Sequence, residues 1–191
     1  MKDWKVMKTV QHFANEHLQV VTECACTPSQ ATTRPWTVVH RKPAVVIAAI
    51  TREDELVLIR QERIPIQRAI WEVPAGQIDA ACPTPAETKR VALRELREET
   101  GYELAPGGKC AALGQLFSSP GFTDECASLF VARLVRLSAT GHAHEPSESI
   151  LDCRSFPIHK VTAMIARGEI ADANTLAVYA RLVAGGIFQL S

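Results

Sequence analysis

Between Arg94 and Glu99 the chain places Arg94, Glu95, Arg97, Glu98 and Glu99 within six positions, and two residues later it reaches Gly101. On a helix, residues three and four apart share a face. Glu95 then neighbours both Glu98 and Glu99, and Arg94 reaches Glu98 one turn on. Acids gathered at the C-terminal end of a helix repel one another and oppose the macrodipole, each effect costing about 0.3–0.5 kcal/mol. A divalent cation removes both penalties. Mg²⁺ in particular takes carboxylate oxygens and commonly shares them with substrate phosphates. Spacing alone leaves two readings open: a solvated, salt-bridged helix end, or a carboxylate cradle for metal.

The elements that must position these side chains can be read on either side. Helical spacing runs from Pro85 to Thr100, with Thr84 as N-cap, Pro85 at the first helical position and Gly101 closing the C-terminus. Strands rich in Val and Ile are expected at Trp36–Arg41, Ala44–Ile50 and Leu56–Arg63, and a further one from Trp71 is ended by Pro74–Gly76. Beyond the helix the pattern predicts strands over 110–119, 126–137 and 150–158, separated by loops at 120–125 and 138–149. Two helices close the chain, the first ending near Gly168. Before Trp36 the reading is a short helix over Met7–His17, a β-like stretch Leu18–Cys26 and a Thr/Ser/Pro loop from Thr27 to Pro35. Many strands around one strongly marked helix, with helices at the end, predict a mixed α/β sandwich.

Composition narrows the function classes. The 191 residues are 47% hydrophobic and 22% charged, with 21 basic and 21 acidic side chains. That balance gives no electrostatic reason to expect nucleic acid or an anionic membrane as partner. No apolar run approaches the roughly 20 residues of a membrane span, and the first residues are too polar for a signal peptide. Of six cysteines only Cys24 and Cys26 stand close together, which predicts reduced thiols in a cytoplasmic protein rather than a zinc site or a nucleophile. His142 and His144 lack a third ligand partner and read as loop residues.

Gly76 together with Arg94-Glu95-Leu96-Arg97-Glu98-Glu99-Thr100-Gly101-Tyr102 resembles the Nudix box, G-x5-E-x7-R-E-U-x-E-E-x-G-U, where U is a bulky apolar residue. The second half matches at every fixed position with Tyr102 as U. The first half is four residues longer than the pattern, Cys82 stands where its first Glu belongs, and Glu87, the nearest acid, lies seven residues before Arg94. From about Trp36 onward the chain also resembles the ADP-ribose pyrophosphatases and related nucleoside-diphosphate-sugar hydrolases of that family. The matching stretches are "VLIRQERIPIQRAIWEVPAGQID", "SSPGFTDE", "EPSESILDCRSFPI" and "GEIADANTLAVYARL".

The resemblance implies a Nudix-type α/β/α sandwich with a mixed β-sheet over 44–191, preceded by a small β-region over 1–43 that forms a homodimer. It implies Glu95, Glu99 and Glu98 as ligands of Mg²⁺, with Mn²⁺ as substitute, the Ala75 carbonyl as a further ligand, and Arg94 orienting the acids. Glu148 is expected as general base, with Glu145 as runner-up. Arg63 is expected to clamp a phosphate, or else to pair with Glu62 or Glu72. Glu125 is read as a substrate-side or metal-side acid, ahead of Asp124. Trp36 and Arg41 are read as contacts to the nucleoside across a dimer, Trp36 alternatively as packing, and Gly76 as part of the substrate turn. The implied activity is hydrolysis of the diphosphate in ADP-ribose or a nucleoside-diphosphate sugar to a nucleoside monophosphate and a sugar phosphate. Two rivals are a non-catalytic ADP-ribose-binding module, kept open by the lengthened first half of the box, and a diphosphate isomerase, for which no placed cysteine is apparent.

Overall fold

The apolar run Ala44–Thr51 forms β4, buried on both faces as a strand without polar alternation should be. In this computed structural model, which describes residues 3–80, 83–142 and 149–189, β4 is the centre of a mixed sheet. It pairs in parallel with β9 (Cys126–Leu137) and antiparallel with β5 (Glu55–Arg63). With β10 (Ile150–Pro157) beside β5 and β8 (Tyr102–Phe117) beside β9, the order is β10-β5-β4-β9-β8. Two short strands extend this sheet: β6 (Arg68–Glu72) pairs with β5 and β7 (Ala75–Gln77) with β4.

Alternate residues of β4 face opposite layers. Val45, Ile47 and Ala49 pack with Ala92 and Leu96 of α1 (Pro85–Thr100). Val46, Ala48 and Ile50 pack with Val161 of α2 (Ile158–Ala166) and with Val178 and Leu182 of α3 (Ala173–Ala184). The expected α/β/α sandwich is therefore present. Its helix α1 begins with a full capping box, in which the Thr84 hydroxyl accepts from Glu87 N and the Glu87 carboxylate accepts from Thr84 N. It ends at Gly101, whose φ of 74° is the left-handed C-terminal geometry that favours glycine.

The N-terminal region departs from expectation. Met7–His17 is not a helix: Lys5–Ala14 is β1, pairing with β2 (Leu18–Thr27), which pairs with β3 (Gln30–Arg41) in a separate three-stranded sheet. The apolar spacing Val6, Val10, Phe13 mimics a helical period. In the strand, register shifts between Val6 and Lys8 and between Gln11 and Phe13 each add a residue that re-phases the faces, so Val10 and Phe13 stand opposite Thr22 and Val20 while Val6 stands opposite Ala25 on the other face. Nor is Thr27–Pro35 a loop. The turn is only Pro28–Ser29, and Pro35 sits within β3, the edge of its sheet, where a missing N–H is tolerated. No helix among the described residues is long and apolar enough to cross a membrane.

Candidate active site

The C-terminal half of α1 lies against the start of β7, just past the link from β6, and this contact builds the site. Glu95 and Glu99, one helical turn apart, face inward and are 6% and 2% exposed. Glu99 Oε2 accepts the Ala75 N–H at 3.1 Å. Glu95 lies so close over Gly76 that a β-carbon there would stand 2.2 Å from its carboxyl carbon. Gly76 is thus required by the Glu95 carboxylate. Arg94 Nη2 donates to Glu95 Oε1 at 2.6 Å, while its Nε lies 3.7 Å from Glu98 Oε2. The Arg therefore orients Glu95 more tightly than the Glu98 that spacing alone favours.

Glu98 does not converge with the other two. Its side chain is 30% exposed at the rim beside Arg94, and among the described residues no three acidic, His or Cys side chains surround a common point. The donor set nevertheless fits a hard divalent cation. Two buried carboxylates press on one backbone segment, with a third acid at the rim, and an all-oxygen site of net negative charge is what Mg²⁺ selects. Ala75, whose carbonyl is the expected further ligand, donates its N–H to Glu99 and so holds that carboxylate at the site. Glu145, Glu148 and His144 lie outside the described residues.

Arg63 ends β5 and donates through Nε to both oxygens of Glu72, at 3.0 and 3.2 Å. The pairing alternative is realised through Nε, and the Arg63 side chain stays partly exposed. Burial raises the Glu72 carboxyl to about 7, and the Arg63 pairing only partly offsets it. Two residues before Arg63 on the same strand face, Gln61 is buried and its Oε1 has no hydrogen-bond partner. Such an acceptor would be satisfied by a ligand donor or an ordered water. Glu87, the acid nearest to the missing first Glu of the box, is spent on capping α1, and its hydrogen bonds from Thr84 hold its pKa below the usual carboxylate value.

The remaining candidates come from two segments far apart in sequence that the fold fastens together. The 118–125 loop lies along β3: Val39 N donates to Phe122 O at 2.8 Å, Thr123 Oγ1 to Val39 O at 2.7 Å, and Trp36 Nε1 to Gly121 O at 2.9 Å. Arg41 Nη1 then reaches Glu125 Oε1 at 2.7 Å, and Ser118 donates to Glu125 Oε2. Trp36 is 57% exposed, so it is not core packing. One residue escapes a reading of the sequence here. His40 is joined at 2.6 Å to Asp124, the acid ranked behind Glu125; the available signal was that it directly precedes Arg41.

Cys153 lies near the helix end, but burial first, then Asp152 and Glu99, push its thiol up to about 11. It is a protonated thiol at neutral pH and does not supply a nucleophile.

A mixed sheet between α1 and the α2–α3 layer, with acids of α1 set on the Gly-containing start of β7, defines the class. A family model for the NUDIX domain matches residues 40–179, and the chain belongs to that family. It is 38% identical over 133 residues to the methanol dehydrogenase activator of Bacillus methanolicus, covering 68% of this chain and 65% of that protein's length. It is 28% identical over 172 residues to the ADP-ribose pyrophosphatase of Bacillus subtilis (strain 168), covering 90% of this chain and 88% of that one. A crystal structure of an ADP compounds hydrolase shares the fold, with a TM-score of 0.76, 17% identity and 98% of both chains covered.

Proposed function

We propose that the chain is a Mg²⁺-dependent hydrolase of the diphosphate linkage in ADP-ribose or a nucleoside-diphosphate sugar, releasing a nucleoside monophosphate and a sugar phosphate. The observation that carries this reading is the buried pair Glu95–Glu99 pressed against Ala75 and Gly76 at the start of β7. Two carboxylates are buried together at a cost unless a cation joins them. Glu95 and Glu99 would hold the ion, with Glu98 at the rim. When bound there, a divalent cation supplies Lewis acidity toward the diphosphate.

The chain's own residues divide the remaining work. Arg94 fixes the Glu95 carboxylate. Arg63, braced by Glu72, presents two NH₂ groups to a phosphate. Glu125, held by Arg41 and Ser118, and the exposed ring of Trp36 receive the nucleoside side, with the N-terminal sheet of a homodimer completing the site. Glu148 is the proposed general base, a role worth about 10²–10⁴ in rate. The location proposed is cytoplasmic. The relative named as an ADP-ribose pyrophosphatase, matched over nearly its whole length, supports the substrate class.

The test is product analysis on a panel of ADP-ribose, ADP-glucose, GDP-mannose, UDP-glucose and diadenosine polyphosphates, with and without Mg²⁺. Metal-dependent release of phosphomonoesters from ADP-ribose or a nucleotide sugar is expected. Glu99→Gln should lower it by about two orders of magnitude or more, beyond the roughly 10–100-fold typical of a lost outer-shell partner. Binding without turnover, or full activity in Glu99→Gln, overturns the reading.

A further inference from the structure

His40 is the one titratable side chain in the seam between the 118–125 loop and the N-terminal sheet that has a carboxylate at each ring nitrogen. Nδ1 lies 2.6 Å from Asp124 Oδ2, and Nε2 lies 3.4 Å from Glu23 Oε1 on β2. Neutral imidazole carries a single N–H, so it can donate to only one of them and turns a lone pair toward the other. Only imidazolium suits both. Asp124 in turn spends its second oxygen on the Arg41 N–H at 3.1 Å, and Arg41 carries its own side chain to Glu125. The ring is thus one link from the pair that the hydrolase reading sets on the substrate.

The other fastenings of this loop to β3 are neutral: the backbone bond from Val39 to Phe122, the Thr123 hydroxyl on Val39 O, and the Trp36 indole on Gly121 O. They do not change between pH 5 and 9. The cations near His40 each have their own acid. Arg41 has Glu125 and Lys42 has Asp79 at 2.9 Å; the other imidazole lining the adjoining groove, His17, lies 3.4 Å from Glu16. Glu23 and Asp124 are therefore the groups that set the charge on the ring.

We propose that His40 is a positioning residue: as an imidazolium between Glu23 and Asp124, it latches the 118–125 loop to the N-terminal sheet and fixes Arg41 and Glu125 for substrate. The placement of Arg41 and Glu125 on substrate rests on the hydrolase reading; the latch itself does not. The hydrogen bond to Asp124 is the largest influence on the ring and raises its pKa above the ordinary 6.5, against a lowering by burial. The sign follows from this. The latch is fully present below 6.5 and is lost as pH rises through the raised value.

Three variants and three readouts test it. In the parent, KM for the best diphosphate substrate should rise about five-fold across this transition, the scale of one charge-assisted link at a partly exposed site, with kcat little changed relative to KM. His40→Gln should show the high KM at every pH. His40→Arg, a permanent cation with donors for both carboxylates, should show the low KM at every pH. Independently of turnover, the His40 ring should titrate lower by NMR in Asp124→Asn, and hydrogen exchange of 118–125, corrected for its intrinsic pH dependence, should accelerate with pH in the parent but not in His40→Arg. A parent-like KM profile in His40→Gln overturns the proposal, and so does unchanged His40 titration in Asp124→Asn. If no substrate turns over at all, the hydrolase reading fails, and titration with exchange alone decides the latch.

Discussion

Glycine is needed at position 76 because of a neighbour: the Glu95 carboxyl carbon would lie 2.2 Å from a β-carbon built there. Gly76→Ala should therefore displace Glu95 from this backbone while leaving the sheet intact, since the obstructing atoms belong to the end of a side chain. The expected result is a rise in the Mg²⁺ concentration for half-maximal activity of about ten-fold or more, the size of effect seen when a ligand's support is removed, with thermal stability nearly unchanged. A metal titration of activity beside a melting curve checks it; a large loss of stability with unchanged metal dependence would refute the assignment of Gly76. At this scale the sequence reading succeeded where helix geometry alone decides the outcome. The one-turn separation of Glu95 and Glu99 places both on the inward face. Spacing did not separate Glu98, which lies partly exposed at the rim, from the inward pair, because which acid faces the core depends on the rotation of α1 over the sheet, set by Ala92 and Leu96. Arg63 was left between two roles because pairing with Glu72 needs the β5–β6 register, and that register is a tertiary fact.

Helix α1 is the element that delivers the acids, and its start is fixed locally. Thr84 and Glu87 satisfy each other's backbone N–H groups, with Pro85 at the first helical position. Thr84→Ala should cost about 1 kcal/mol, a fall of about 2–4 °C in melting temperature for a chain of this size. Metal dependence should not change, since the capping box lies at the opposite end of the helix from Glu95 and Glu99. Calorimetry of the variant checks the first outcome and a Mg²⁺ titration the second; a shifted titration would mean that the cap acts on the site. The same local completeness explains why α1 was legible from residue types alone, down to Thr84 and Gly101. Strand β9 was equally legible at Cys126–Leu137, because loops rich in Pro, Gly and Ser bound it. Strand β1 was not. Its ten residues are all exposed, so no buried face imposed a period of two, and two register shifts left an apolar spacing that imitates a helix. What makes it a strand is the partner ladder on β2, which no local pattern announces. The lengthened segment before Arg94 resolves in part as helix start: its Thr84, Pro85 and Glu87 serve the cap and not the metal.

For the whole molecule, the unbalanced feature is the exposed apolar surface of the N-terminal sheet. Trp4 is 75% exposed and Trp36 is open too, at an apolar groove of about 460 Å³ that runs from Trp4 and Val6 to Trp36 and Pro120, and Met7, Val10 and Phe13 of β1 are exposed elsewhere on the same sheet. Strand β1 is an edge, and a ten-residue edge with apolar side chains is a liability in an isolated chain. The main sandwich needs nothing from this sheet for its own core, whose two clusters lie entirely on β4–β10 and the three helices with the residues that join them. Burial against a second copy would cover this exposed surface. The proposed homodimer therefore predicts a mass by light scattering of twice the 20.9 kDa of the chain. The double variant Val10→Lys, Phe13→Glu should shift this to a single chain while the circular dichroism of the sandwich is retained. If dimerisation also completes the site, the monomeric variant should lose affinity for substrate more than it loses affinity for Mg²⁺, because Glu95, Glu99 and the Ala75–Gly76 segment all belong to one chain. A parent that scatters as a single chain at the concentrations used for catalysis would refute the dimer, and the exposed face would then need another partner.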